Sequence, residues 1–451
     1  GGLSGVEVFR KPMVERNQNN VKRFRNHPSI FMWSYGNESG NGNNFQYVEN
    51  AIKALDKTRL THYEGNSTWS DVSSTMYANY DHIKGIGEER LTQSNPRPHI
   101  QCENSHAMGN AMGNVREMFD LYEKYPSLTG EFIWEWKDHG IQMPVPNKPG
   151  ETYWAYGGDF GDKPNDDNFV ADGLVFPNHT LSAKSYNTKK IYQPIVFSME
   201  ADGKTFNLKS KLAFKNTDYL DIYYSILEDG EVLKTQQLSE VLSAGEIKTV
   251  TIDETALLTN PAAEYFIRFN VSQKAATWWA EAGYEVASEQ IKLTNAVKPV
   301  YAIPTAGSLS VQDNDNKVLV SGANFSIEFS KLKGTLENYT LNGTQMINGP
   351  LELNVFRLPT DNDKSQTEAW DVSGIRKLTV SPKSFDVKQT DDVVTVTVEN
   401  MYIAIGQYRY NTTATFNILK DGTVFFNTII DPVMKNVITP RIGYRLSMPS
   451  D

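Results

Sequence analysis

The chain has a single cysteine, Cys102, in 451 residues, so no internal disulfide framework can hold it together. It has no apolar run approaching the length of a membrane-spanning helix. It also lacks any block of basic residues: 44 Lys and Arg stand against 54 Asp and Glu, for a net charge of −10. Neither a membrane nor a nucleic acid is therefore expected as a main partner. Low-complexity tracts and internal repeats are missing too. The opening Gly1-Gly2-Leu3-Ser4-Gly5 is neither a signal peptide nor a natural initiator, so a piece of a longer polypeptide is expected. The compartment stays open between cytoplasm and bacterial periplasm. What is present is ordinary for a globular protein with real cores: 39% hydrophobic and 22% charged residues. The length calls for two or three domains. Eight tryptophans and 22 tyrosines suit a sugar site, but they suit large β-sandwich cores equally well.

Three textures follow one another. Up to about residue 193, short apolar runs at 30–34, 60–63, 74–78, 99–102 and 129–134 alternate with helical patterns. Helices are expected at 10–26, at 45–56 (Phe45, Val48, Ile52, Leu55) and at 110–124 (Met112, Val115, Phe119, Tyr122). Strand–helix alternation reads as a parallel α/β sheet, with a β/α barrel as the leading choice. Residues 194–297 alternate with period two, as in Tyr265-Phe266-Ile267-Arg268-Phe269-Asn270-Val271, and Asp229-Gly230 is a hairpin turn. About a hundred residues of this texture suggest an immunoglobulin-like sandwich. After a linker at 294–305, residues 298–451 form a second all-β unit, with turns at Asn342-Gly343 and Asp421-Gly422.

Two glutamates stand at the tips of apolar runs. Glu38 closes Ser29-Ile30-Phe31-Met32-Trp33-Ser34-Tyr35-Gly36-Asn37-Glu38, and Glu103 closes Pro98-His99-Ile100-Gln101-Cys102-Glu103. In a β/α barrel the strand C-terminal ends carry the functional groups. A carboxyl pair at one such site is what glycoside hydrolysis requires: a proton donor for the leaving oxygen, and an anion for the charge developing at the anomeric carbon. A retaining enzyme holds the two about 5 Å apart. An isolated strand-end glutamate is more often a helix cap or a surface ion-pair partner. The Gly-Asn before Glu38 and the Gly/Asn/His-rich loop after Glu103 shift that balance.

Asn26-His27-Pro28-Ser29-Ile30 followed by Gly36-Asn37-Glu38-Ser39-Gly40 resembles the acid/base signature of the large β-galactosidases of glycoside hydrolase family 2. Cys102-Glu103 with Ser105-His106-Ala107-Met108-Gly109-Asn110 resembles their nucleophile signature. Trp154-Ala155-Tyr156-Gly157-Gly158-Asp159-Phe160-Gly161-Asp162 and Arg357-Leu358-Pro359-Thr360-Asp361-Asn362-Asp363 are similar to further stretches in the same order. The resemblance implies a truncated barrel, an immunoglobulin-like sandwich and part of a larger, galactose-mutarotase-like sandwich. Glu38 would be the general acid/base and Glu103 the nucleophile. Asn37, Tyr77, His106 and Trp134 would contact the sugar, a terminal β-D-galactose. Mg2+ would involve Glu38, and Na+ would involve Phe169 and Asp172, where the family more often carries asparagine in place of Asp172.

The plainer alternatives are core packing for Trp134 and Tyr77, and a turn-bonding role for His106. His27, Met32 and Trp33 are read as structural, and Lys163 and Asp166 as loop braces. The first recognised strand corresponds to the family's fourth. The first three, two preceding β domains and most metal ligands have no counterpart here. The expectation is therefore low activity of this chain alone, with homo-oligomerisation or another chain supplying the absent strands. β-Glucuronidase or β-mannosidase activity, or carbohydrate binding without turnover, are the alternatives.

Overall fold

The computed structural model describes residues 2–65, 68–294, 301–404, 409–433 and 438–450. The chain divides into two compact units, Gly1–Lys298 and Pro299–Asp451.

The first unit opens with helix α1 (Arg10–Phe24). Strands and helices then follow as β1 (Met32–Ser34), α2 (Asn44–Leu55), β2 (Leu60–His62), β3 (Ser73–Met76), α3 (Tyr80–Arg90), β4 (His99–Asn104), α4 (Val115–Lys124) and β5 (Leu128–Ile133). β1 pairs with β2, and β4 pairs with both β3 and β5. Every pairing is parallel, and a parallel bridge from His62 to Val72 joins the two sets. Five parallel strands in sequence order, with helices in most crossovers, form part of a β/α barrel wall. Helix α2 belongs there because Phe45, Val48 and Ile52 recur on one face and bury it against Trp33, Tyr35 and Tyr63.

One expected helix is shorter than its periodicity suggested. Residues 110–114 are loop, because Met112 and Asn114 take φ of 85° and 63°, and helix α4 starts at Val115. Met112 is nonetheless buried with Val115, so its side chain obeys the pattern that its backbone breaks.

After β5 come the hairpin β6 (Ile141–Pro144) and β7 (Thr152–Ala155), then helix α5 (Ala183–Ile191). A seven-stranded sandwich follows, made of β8 (Ile195–Met199), β9 (Thr205–Ser210), β10 (Leu220–Glu228), β11 (Glu231–Leu238), β12 (Ile247–Thr251), β13 (Tyr265–Gln273) and β14 (Glu285–Lys292). One sheet runs β11-β10-β13-β14 and the other β12-β9-β8, an immunoglobulin-like division into four and three strands. Asp229 and Gly230 turn between β10 and β11 with φ of 46° and 94°, as a tight hairpin demands. Phe197, Phe206 and Phe269 meet in the core between the sheets.

The second unit holds a five-stranded antiparallel sheet spanning 310–345 and a four-stranded one spanning 379–432, with Val318, Phe329, Val396 and Phe416 among the residues buried together. Asn342 and Gly343, at φ of 50° and 76°, form the expected turn between Thr335–Leu341 and Thr344–Gln345. Half of the expected linker at 294–305, residues 295–300, lies outside the described residues.

Candidate active site

Strand β4 ends by delivering Glu103 to the rim of a hollow of about 560 Å3, which Asn37, His62, Glu64, Phe132 and Trp134 also line. Parallel strands place these groups together because β2, β4 and β5 all end on that side, with the loop after β1 beside them. Tyr77, just past β3, donates its hydroxyl to Glu103 Oε2 at 2.8 Å. Its own N–H bonds the Glu103 carbonyl at 2.9 Å, so backbone and side chain both fix the pair. Burial, and then the hydrogen bond to the Glu103 carboxylate, push the Tyr77 phenol well above its ordinary value. It remains a proton-carrying donor at neutral pH.

The opposite wall is built from the loop after β5. Trp134 follows that strand, its N–H bonds the Asn104 carbonyl at 3.0 Å, and its indole N–H donates to Asp172 Oδ2 at 3.1 Å. His106 Nε2 stands 3.9 Å from the same oxygen. The His106 ring also lies 5.8 Å from Tyr77 and 5.3 Å from Phe169, centroid to centroid. Gly173 lets the Asp172 loop approach this closely, since a Cβ there would sit 2.1 Å from the Asp138 nitrogen. Asp172 is only 3% exposed, and its Oδ1 has no partner. Beside it, burial and then the Asp172 carboxyl hold Glu135 above the usual carboxylate range.

Glu38 is placed differently. It is exposed, adopts φ of 46°, and gives its N–H to Glu64 Oε2 at 3.0 Å. It lines a neighbouring hollow with Phe9, Met13, Arg16 and Tyr35, while Asn37 before it lines the hollow of Glu103. The loop that carries it is clamped from two sides. Tyr63 donates to the Gly40 carbonyl at 2.7 Å, and Ser4 donates to the Ser39 carbonyl at 2.6 Å. Gly42 makes the second clamp possible, because a Cβ would fall 1.9 Å from the Ser4 carbonyl carbon.

Of the residues singled out in the sequence, Tyr77, Glu103, His106, Trp134, Phe169 and Asp172 form one linked set. Asn37 shares their hollow, and Glu38 lies on the adjoining one. Sequence reasoning missed Glu64 and His62. Glu64 ends the run Leu60-Thr61-His62-Tyr63-Glu64, the same strand-tip position that drew attention to Glu38 and Glu103. His62 is 4% exposed, and burial lowers its pKa to about 4. Burial also pushes the Cys102 thiol up, and Glu64 and Glu103 act in the same direction.

Comparison with known proteins accounts for nearly the whole chain, domain by domain. Residues 6–197 match the family described as glycosyl hydrolases family 2, TIM barrel domain. Residues 206–294 match beta-galactosidase, domain 4, and residues 321–451 match the beta galactosidase small chain. The chain belongs to glycoside hydrolase family 2. A beta-galactosidase of Priestia megaterium is 33% identical over 98% of this chain and 43% of its own length. One from Photobacterium profundum is 31% identical over 99% and 46%. This family member thus spans less than half the length of those curated relatives. Among solved structures, a Bacteroides uniformis beta-glucuronidase covers 99% of this chain and 55% of its own at 9% identity, with a TM-score of 0.33.

Proposed function

We propose that this chain carries the glycosyl-transfer half of a retaining β-galactosidase site, with Glu103 as the nucleophile. One observation carries the reading: Glu103 is held by the Tyr77 hydroxyl at 2.8 Å, at the edge of a hollow shared with Asn37 and Trp134. Its carboxylate would attack the anomeric carbon, forming a glycosyl ester as the bond to the leaving oxygen breaks. Trp134 offers a ring face for the sugar, and Asn37 an amide for a hydroxyl. Glu38 would protonate the leaving oxygen and then activate water. That role needs its carboxyl within reach of the sugar held at Glu103.

The two implied metals fare differently. A buried, unpartnered carboxylate oxygen on Asp172 fits a Na+ ligand, with Phe169 beside it, and the ion would orient a sugar hydroxyl. Mg2+ does not fit. Among the described residues no three His, Cys, Asp or Glu side chains gather to hold a metal, and no step here runs through one.

The test is covalent trapping with a 2-fluorogalactoside bearing a reactive leaving group, which does not depend on the acid. Mass spectrometry is expected to locate one label on Glu103, and none in Glu103→Gln. Tyr77→Phe should slow labelling roughly 10- to 100-fold, matching the 1.5–3 kcal/mol of a hydrogen bond to a charged group. Galactose binding without any label would favour the second reading, a carbohydrate-binding module without turnover. The placement of Glu38 on the neighbouring hollow supports that reading.

A further inference from the structure

A third hollow, of about 310 Å3, lies where the end of α5 meets the β13–β14 hairpin of the sandwich. Its volume is at the small end of the range for small-molecule sites. Four of its nine lining residues are aromatic: Tyr192 after α5, Tyr219 before β10, and Trp279 and Tyr284 from the hairpin. Trp279 and Tyr284 meet edge to face, with centroids 5.6 Å apart. Neither ring is spent on a core, for Trp279 is 54% exposed and Tyr284 43%.

Two glutamines also line it, and both are anomalous. Gln193 is 1% exposed and Gln273 3%, yet the amide nitrogen of each is buried without a hydrogen-bond partner. Gln193 Oε1 accepts the Ser288 N–H at 3.2 Å, which leaves Nε2 as the unpaired end. Native proteins rarely leave a buried donor unpaired; both nitrogens are closed to solvent, so a ligand that accepts from them must draw the amides toward the hollow.

The chemistry narrows the ligand. A purely apolar molecule would leave both amides unpaired. A cation would face N–H donors. An anion would find Lys189 at the rim already engaged, 3.8 Å from Glu285 and over the Tyr284 ring at 4.8 Å. A neutral molecule with acceptor oxygens on its edge and C–H groups on its face satisfies both halves of the site. We propose that this hollow binds a neutral pyranose unit of an oligosaccharide, stacked on the aromatic wall and accepting from the amides of Gln193 and Gln273. The site is separate from the hollow of Glu103 and does not depend on the chemistry assigned there.

Hydrogen exchange read by mass spectrometry on the full chain tests this, with β-1,4-galactobiose and cellobiose as probes in a Glu103→Gln background, so that nothing is turned over. Added disaccharide is expected to protect peptides spanning 265–292. Trp279→Ala and Gln273→Met are each expected to weaken that binding about tenfold or more. Trp279 is half exposed, so its truncation leaves the sandwich core intact. Unchanged exchange across 265–292, or protection that persists in both variants, overturns the proposal. So does a Gln273→Met chain that melts higher yet binds as before, since the orphan amides would then be only a packing defect. Fluorosugar labelling at Glu103 in the wild-type chain reports the barrel site independently, so the two readings fail separately.

Discussion

The barrel strands and the seven-stranded sandwich use polar side chains in opposite ways. Strand β13 of the sandwich buries Tyr265, Ile267, Phe269 and Val271 and turns the residues between them outward, so its core is almost wholly apolar. Strand β4 of the barrel instead buries His99 and Gln101, and Asn104 at its end. Each has found a partner. His99 Nδ1 meets Ser73 Oγ at 2.9 Å, Gln101 accepts the Ala78 N–H at 2.8 Å and donates to Tyr122 at 2.7 Å, and Asn104 bonds Glu131. Such networks contribute little net stability but specify position, since shifting one strand unpairs several buried groups at once. The comparison teaches where rigidity goes. The sandwich spends its interior on stability, and the barrel spends its interior on holding strand ends in place.

The largest expected effect comes from cutting the apolar side of that contrast. Phe269 is fully buried and stacked on Phe197 at 4.3 Å, so Phe269→Ala should cost about 3–5 kcal/mol, seen as a lower urea midpoint. Trapping at Glu103 should survive below the new midpoint. Loss of labelling in step with the sandwich would break the comparison by showing that one core serves both regions. Acid probes the other side. Burial lowers the pKa of His62 to about 4, and burial with nearby Arg90 and other cations does the same for His99. Above the unfolded value of 6.5 neither state is charged. As pH falls from 6.5 to 4 the unfolded chain takes up protons that the folded one refuses, so stability declines through that window. The loss approaches about 3 kcal/mol for each histidine. All seven histidines precede residue 180, so Pro299–Asp451 has none. Exchange protection, corrected for intrinsic rates, should fall between pH 6.5 and 4.5 at β2 and β4 and hold in Val393–Ile403. Equal loss in both units would sink the assignment.

The same contrast explains what could be read in the sequence. Buried parallel strands announce themselves as apolar runs, so β1, β2, β4 and β5 were legible to within a few residues, and with them the strand-end position of Glu103. Period-two alternation made β13 equally plain, and Asp229-Gly230 marked the turn between β10 and β11. Helix α4 was misjudged because Met112 sits at the right spacing for its face while its backbone is left-handed. Residue type does not encode that. Glu64 was overlooked because the reading of its strand stopped one residue short. The unpaired amides of Gln193 and Gln273 were out of reach, since an orphan donor is defined by what surrounds it in space. The adjoining hollow that takes Glu38 arises from contact with α1 and residues 2–4, a long-range packing that no local pattern shows.

The smallest expected effect tests the seam between the two regions. Glu123 on α4 receives Lys209 of β9 at 3.0 Å and Lys211 at 2.6 Å, and Lys211 also lies over Phe119 at 4.2 Å. Burial works to raise the Glu123 carboxyl, but Lys211 and then Lys209 outweigh it and leave its pKa below the ordinary value. Its contribution is therefore present above the unfolded pKa of about 4.3 and fades as pH falls through the lower folded value. Glu123 is 30% exposed at its side chain and Lys209 42%, so water screens much of the attraction. Glu123→Gln should cost about 1 kcal/mol or less in urea unfolding at pH 7. That cost should shrink further in 1 M NaCl, where the Debye length is about 3 Å. A penalty of several kcal/mol that ignores salt would mean that Lys211 is buried without compensation once Glu123 is neutral. The seam would then be a true core, and stability and positioning would no longer be divided between two regions.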